Sequence, residues 1–261
     1  MNILDSYKNL FNLKGKVALV TGGAGDIGSA ISEGIASLGA GVIICDINEK
    51  KAINVANRII EAGGKVRGKS LDITDIEKTN KFVDSLDKSY GKIDILINCV
   101  GTQIEAPAIE YKEKDWDKIF DINLKSAFYL SQAVARVQIP KGGGKQIHIS
   151  SVRSKLGIHR GYVGYCTTKG GMNLMVKQLA TEWAQYNITV NAIAPTFIRT
   201  ELASKYLDDP NFYNSLVKRI PLGRVGEPID ISGLAMYLSS PASDFITGQI
   251  IFADGGLTAC Q

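Results

Sequence analysis

The sequence predicts one α/β domain, a doubly wound parallel sheet of about seven strands with helices on both faces. Three observations carry this. Short β-branched apolar runs alternate with amphipathic stretches from one end of the chain to the other. Most of these runs are continuously apolar, the pattern of strands covered on both faces. No Pro/Gly/Ser-rich linker, charge block or repeat divides the 261 residues.

Taken in order, the strands are expected over 17–20, 42–45, 66–71, 93–97, 146–149, 189–193 and 249–253. Helical patterns occupy 48–62, 75–90, 116–137 and 165–186. The stretch 195–228 has no clean period and holds four of the seven prolines, so it is expected to be an irregular substrate loop or lid.

Composition excludes several classes. With 45% apolar and 21% charged residues the chain is neither disordered nor a membrane protein. The net charge of +4 is dispersed along the chain, so neither nucleic acid nor a membrane is expected as a partner. Cys45, Cys99, Cys166 and Cys260 show no C-x-x-C and no Cys/His ligand spacing, which argues against a metal site and a disulfide framework. The N-terminal residues lack a basic start followed by an apolar stretch, and a cytoplasmic protein is expected.

Glycine, at 27 residues, exceeds the usual share of about 7%, and one cluster of it carries chemistry. The first strand runs into Thr21-Gly22-Gly23-Ala24-Gly25-Asp26-Ile27-Gly28 and then a helical pattern. Strand, glycine turn and helix together present backbone N–H groups to a pyrophosphate. The second strand ends in Asp46, placed for an acid that takes a ribose 2′-hydroxyl. A carboxylate there repels a 2′-phosphate and the turn has no Lys or Arg, so NAD is favoured over NADP. The alternative for Asp46 is a helix N-cap before Glu49.

With these marks on the page the chain resembles the short-chain dehydrogenase/reductase family along essentially its whole length. The resemblance rests on Tyr165-Cys166-Thr167-Thr168-Lys169 as YxxxK, on Ser150-Ser151 at a strand end, and on the Thr21 to Gly28 turn. Asp72-Ile73, Asn98 to Gly101, Asn123, Asn191 through Pro195 to Thr200, and Asp254-Gly255-Gly256 follow in the family order. It implies a Rossmann-type enzyme passing hydride between a nicotinamide and a secondary alcohol or ketone. By resemblance Tyr165 exchanges the proton, Ser151 holds the substrate oxygen, Lys169 holds the nicotinamide ribose and Asn123 positions a relay water. Gly22, Asp26, Ile27, Gly28, Asp46, Asp72, Ile73, Asn98, Ile198 and Thr200 join Tyr165 and Lys169 as cofactor contacts. A homotetramer is implied, with interface helices over 116–137 and 165–186.

Tyr165 and Lys169, four apart on a helix, share a face. An ammonium ~4 Å from a phenol at an effective dielectric of ~20 is worth roughly 4 kcal/mol, which lowers the phenol from ~10 by about three units at most. Departures from the family pattern are Asp26 where a glycine is usual, Asn98-Cys99-Val100-Gly101 in place of NNAG, and Thr196 after Pro195. The Ser151 to Tyr165 spacing is slightly long, which keeps Ser150 and Ser154 as alternatives.

The substrate is expected to be a small polyol or sugar acid, since the chain is most similar to the gluconate and ketosugar-acid dehydrogenase branch. Arg153, His159 and Arg160, between the Ser and the Tyr, are candidates for meeting a carboxylate or are a solvated basic loop. A 3-oxoacyl-carrier-protein reductase is the alternative within the reaction class. A non-catalytic dinucleotide sensor is the alternative outside it.

Overall fold

A computed structural model describes residues 3–260. Its seven strands are β1 (Val17–Thr21), β2 (Gly41–Asp46), β3 (Lys65–Ser70), β4 (Ile95–Asn98), β5 (Gly144–Ile149), β6 (Ile188–Pro195) and β7 (Ile250–Ala253). They form one parallel sheet in the order β3-β2-β1-β4-β5-β6-β7. The chain starts in the middle, winds out to β3, then returns past β1 and winds the other way. Neighbouring β1 and β4 therefore mark the switch point, where a crevice opens beyond the strands' carboxyl ends.

After a short α1 (Ile3–Lys8), the helices are α2 (Asp26–Ser37), α3 (Glu49–Glu61), α4 (Ile76–Tyr90), α5 (Glu113–Phe120), α6 (Ser126–Gln138), α7 (Val163–Trp183), α8 (Glu201–Leu207), α9 (Pro210–Val217) and α10 (Pro228–Ser239). One core packs α2, α3 and α10 on Ala18 and Val20 of β1 and Ile97 of β4. The opposite core packs α4 and α6 on Leu19 and Leu96, and α7 continues it over β6. Alternate residues of one strand thus serve opposite cores, which is why the strands read as unbroken apolar runs.

Two expectations change. The helix expected over 116–137 is broken by a wide π turn, Asp121–Lys125, between α5 and α6. Such one-turn bulges gather at functional sites, and this one carries buried Asn123. The stretch 195–228 is not irregular but contains α8 and α9. Thr200 caps α8 by accepting from the Ala203 N–H at 3.2 Å, and Asp209 caps α9. Pro210 and Pro228 stand in the first turns of α9 and α10, where a missing N–H leaves no bond unmade. Among the described residues no helix is long and apolar enough to cross a membrane.

Candidate active site

The register Thr21↔Asn98 sends the glycine turn and residues 99–101 out of the sheet side by side. Gly22 has φ +64°, and a Cβ on it would sit 2.9 Å from the Cys99 and Val100 backbone. A Cβ on Gly28 would collide with the Gly22 carbonyl. Glycine is required at both for the turn to close against its neighbours. Behind it α2 starts at Asp26, with Gly25 as an N-cap that offers no side-chain acceptor. The amides of Asp26, Ile27 and Gly28 belong to its first turn, which has no intrahelical acceptors for them.

A trough of about 840 Å³ follows this turn, lined by Gly22, Gly25, Asp46, Asp72, Ile73 and residues 99–101. Asp46 accepts from the Ala24 N–H at 3.2 Å and the Asn48 N–H at 3.0 Å, tying the end of β2 to the glycine turn. The cap of α3 is Asn48, which accepts from the Lys51 N–H, so the N-cap alternative for Asp46 falls away. Asp72 turns on itself, accepting from the N–H and hydroxyl of Thr74.

Two expected contacts lie elsewhere. Asp26 turns away from the trough, and its carboxylate accepts the Glu201 N–H of α8 at 2.8 Å. The carboxylate is thus directed to α8 and does not line the trough. Asn98 is 1% exposed; its Oδ1 accepts from the Thr21 hydroxyl at 2.9 Å and the Val100 N–H at 3.1 Å. It braces β1 against β4 and lines neither cavity; the residues that do are Cys99 to Gly101.

The trough continues through Cys99 and Gly101 into a narrower cleft of about 220 Å³ at the ends of β5 and β6. Ser151, Tyr165, Lys169, Ile27, Ile198 and Thr200 all line it. Ser151 ends β5's exit turn, and its Oγ accepts from the Arg153 N–H at 3.1 Å. Ser150 donates instead to Asn173 Oδ1, and Ser154 to the Ser151 carbonyl, so Ser151 alone of the three lines the cleft with Oγ free to donate.

The Tyr165 and Lys169 side chains share a face of α7, with the Lys169 Nζ 5.8 Å from the Tyr165 ring centroid. Nζ donates to the Ile149 carbonyl at 2.7 Å. Burial pulls the Lys169 ammonium down to about 8. The Tyr165 phenol is pushed above its ordinary value by burial, against an opposing pull from the Ser151 hydroxyl. The lowering expected from sequence spacing is absent because Lys169 is turned to the Ile149 carbonyl, and desolvation dominates. Gly101 lies beside both: a Cβ there would stand in ordinary contact, 3.4 Å from Lys169 Nζ and 3.7 Å from Asn123 Oδ1.

Asn123 is fully buried and its amide is committed. Oδ1 accepts the Thr102 N–H at 2.7 Å, and Nδ2 donates to the Thr102 carbonyl and the Thr168 hydroxyl. It pins the loop after β4 to the π turn and to α7, holding Gly101 beside Lys169. Sequence reasoning missed Gln103, Phe197, Leu202 and Tyr206, which also line the cleft. For Phe197, Leu202 and Tyr206 the only signal was regional, the proline-rich stretch 195–228, because no motif spacing names which of its side chains turn inward; Gln103, in the loop after β4, carried none.

These residues fit a nicotinamide dinucleotide. Unpaired helix amides meet a cradle that a Cβ at Gly22 would obstruct, and the buried Thr196 hydroxyl on the cleft wall has no partner in the protein. Known proteins agree. A family model described as enoyl-(acyl carrier protein) reductase matches residues 22–258. Gluconate 5-dehydrogenase of Gluconobacter oxydans is 37% identical over 97% of this chain and 98% of its own. A tropinone reductase homolog of Arabidopsis thaliana is 40% identical over 95% of this chain and 94% of its own. The crystal structure of a gluconate 5-dehydrogenase from Burkholderia cenocepacia, in complex with NADP and tartrate, superposes with a TM-score of 0.93 at 38% identity, covering 97% of this chain and 99% of that one.

Proposed function

The chain belongs to the short-chain dehydrogenase/reductase family of oxidoreductases, and on that premise we propose that it interconverts a secondary alcohol and a ketone on a small sugar acid, with NAD as the preferred cofactor. The observation that carries the reading is the meeting of Ser151, Tyr165 and Lys169 in one cleft continuous with the trough of Gly22 and Asp46. A bound nicotinamide supplies the hydride acceptor or donor. The Ser151 hydroxyl holds the substrate oxygen by a hydrogen bond, and Tyr165 passes a proton to or from that oxygen. A phenol held above its ordinary value is neutral at pH 7, the state that donates a proton to a ketone. Lys169, on the same helix face, holds the nicotinamide ribose. Asn123 acts by fixing Gly101 and the loop after β4.

Preference for NAD rests on Asp46, whose carboxylate faces the trough and repels a 2′-phosphate. Residues 195–228 form the movable wall of the substrate side. The chain acts in the cytoplasm as a homotetramer, with α5, α6 and α7 as interface elements; the 69% exposed Leu174 of α7 supports such a contact. Sedimentation at the mass of one chain removes the tetramer.

A panel of gluconate, 5-ketogluconate and sorbitol, assayed with NAD(H) and NADP(H) by nicotinamide absorbance, tests the reading. Turnover of the sugar acids with NAD at least tenfold better than with NADP is expected. No rate on any sugar acid overturns the substrate class. The family model's description favours one second reading, an acyl-carrier-protein-linked substrate. Acetoacetyl-CoA in the same panel separates it.

A further inference from the structure

One guanidinium is set into the wall of the cleft with no opposite charge beside it. Arg153 lies on the single turn Val152–Ser154, two residues after Ser151, and is 5% exposed. It lines the same cleft as Ser151 and Tyr165. Its side chain makes one hydrogen bond, from Nη1 to the Gly157 carbonyl at 2.8 Å. Among the described residues no carboxylate lies within ion-pairing distance of it and no aromatic ring lies beneath it. The charged neighbour that reaches it is Arg219, of like sign; the others are the weakly acidic Cys166, Tyr162 and Tyr165.

The other basic residues of this loop differ: Lys155 is exposed, with Nζ 5.5 Å from the Phe252 ring centroid. Arg160 lies 4.7 Å from both the Tyr206 and Phe212 ring centroids and 3.9 Å from Glu105, so its charge is already matched. His159 is exposed. Arg153 alone is desolvated, unpaired and inside the substrate cleft. A buried charge without a partner destabilises the empty protein, and an anionic ligand removes that penalty. A guanidinium is also the group whose planar fork matches a carboxylate bidentately.

We propose that Arg153 anchors the substrate's carboxylate and makes the enzyme select a sugar acid over the neutral polyol of the same length. This deepens the proposed function and rests on its assignment of the cleft. Because Arg153 and Ser151 share one turn, a single small molecule can present its carboxylate to one and its reacting oxygen to the other. Selectivity of this kind comes from leaving a charge unpaired when the neutral compound binds.

The test uses Arg153→Met in the full-length protein saturated with NADH. Loss of a charge-assisted bond predicts gluconate or tartrate binding, by isothermal titration, weaker by at least ~10-fold, with NADH affinity within about twofold of the parent. The ratio of kcat/KM for gluconate over sorbitol falls by a similar factor. The unliganded Met variant melts no lower than the parent, because an unpaired buried charge is gone. If the Met variant does not fold, Arg153→Gln carries the same titration. Equal carboxylate affinity in parent and variant overturns the proposal, as does a parent that binds neither gluconate nor tartrate. Tartrate binding that depends on Arg153 in a protein without gluconate turnover sustains the anchor and refutes only the proposed substrate.

Discussion

The two halves of the cleft are built from different material. The dinucleotide half, at the ends of β1 and β2, is mostly backbone: Gly22 at φ +64°, Gly28 under the Gly22 carbonyl, and the first amides of α2. The substrate half is made of side chains from distant segments. Ser151 and Arg153 come from one turn, Tyr165 and Lys169 from α7, and Leu202 and Tyr206 from α8. A backbone site offers hydrogen bonds whose positions no side-chain substitution alters, provided nothing fills its space. A side-chain site is chemically specific at each position and can be re-tuned one residue at a time.

The halves share a core that joins Val20 and Ile27 to Ile149 and Ile198, and surface clasps fasten α8 across the cleft. Asp26 of the glycine turn accepts from the Glu201 N–H, and the Glu201 carboxylate pairs with Lys51 of α3 at 3.1 Å. On the far side Arg160, Glu105 and Tyr206 fasten α8 to the loops after β4 and β5. All of these contacts are exposed or half-buried, so each contributes modestly, as surface pairs do.

Three changes sharpen this contrast. The largest effect is expected at Tyr165. Tyr165→Phe removes the proton donor and lowers kcat by ~10²- to 10⁴-fold, with NADH affinity within about twofold by fluorescence titration. Wild-type turnover in that variant breaks the division into a chemical half and a binding half. The parent's pH profile carries the sign: ketone reduction needs the neutral phenol and declines as pH rises through the Tyr165 pKa, whereas alcohol oxidation needs the phenolate and increases over the same range. Burial places that inflection above the ordinary phenol value in the unliganded protein.

Gly28→Ala comes next and strikes the backbone half. The added methyl meets the Gly22 carbonyl, and forced overpacking of this kind costs about 1–3 kcal/mol. Denaturant unfolding and NADH titration together read the loss; a variant with parental NADH affinity shows that the turn is not the pyrophosphate seat. Asp26→Ala is the mildest. Removing one exposed acceptor costs the clasp about 0.5–1.5 kcal/mol, seen as faster proteolysis within α8 and a few-fold higher substrate KM with NADH affinity preserved. A large fall in NADH affinity instead assigns Asp26 to the dinucleotide half.

Much of both halves was legible in the chain itself, for separate reasons. The strand ends and the glycine turn follow from local rules, since apolar runs and residues that tolerate φ > 0 are visible one position at a time. Tyr165 and Lys169 were legible through their resemblance to the family's YxxxK, and the 3.6-residue helix repeat explains why that spacing puts them on one face. Asp26 shows where this stops. As a carboxylate in a glycine position it read as a threat to the cofactor, and its partner Glu201 stands on a helix far along the chain that sequence period did not reveal. Asn98 is similar: its motif marked the right place, while its Oδ1 accepts from the Thr21 hydroxyl across the sheet.

The sequence by itself determined the doubly wound sheet, the glycine turn and the position of Asp46, and through its resemblance to the family it pointed to Ser151, Tyr165 and Lys169 as the expected reactive set. Each is written in local pattern, spacing or strand order. Tertiary structure alone decided which basic residue of the loop keeps an uncompensated charge, where Asp26 points, that Asn123 sits in a π turn, and that desolvation dominates at the Tyr165 phenol. Charge compensation and burial are sums over neighbours brought together by folding, and no position along the chain carries those sums alone.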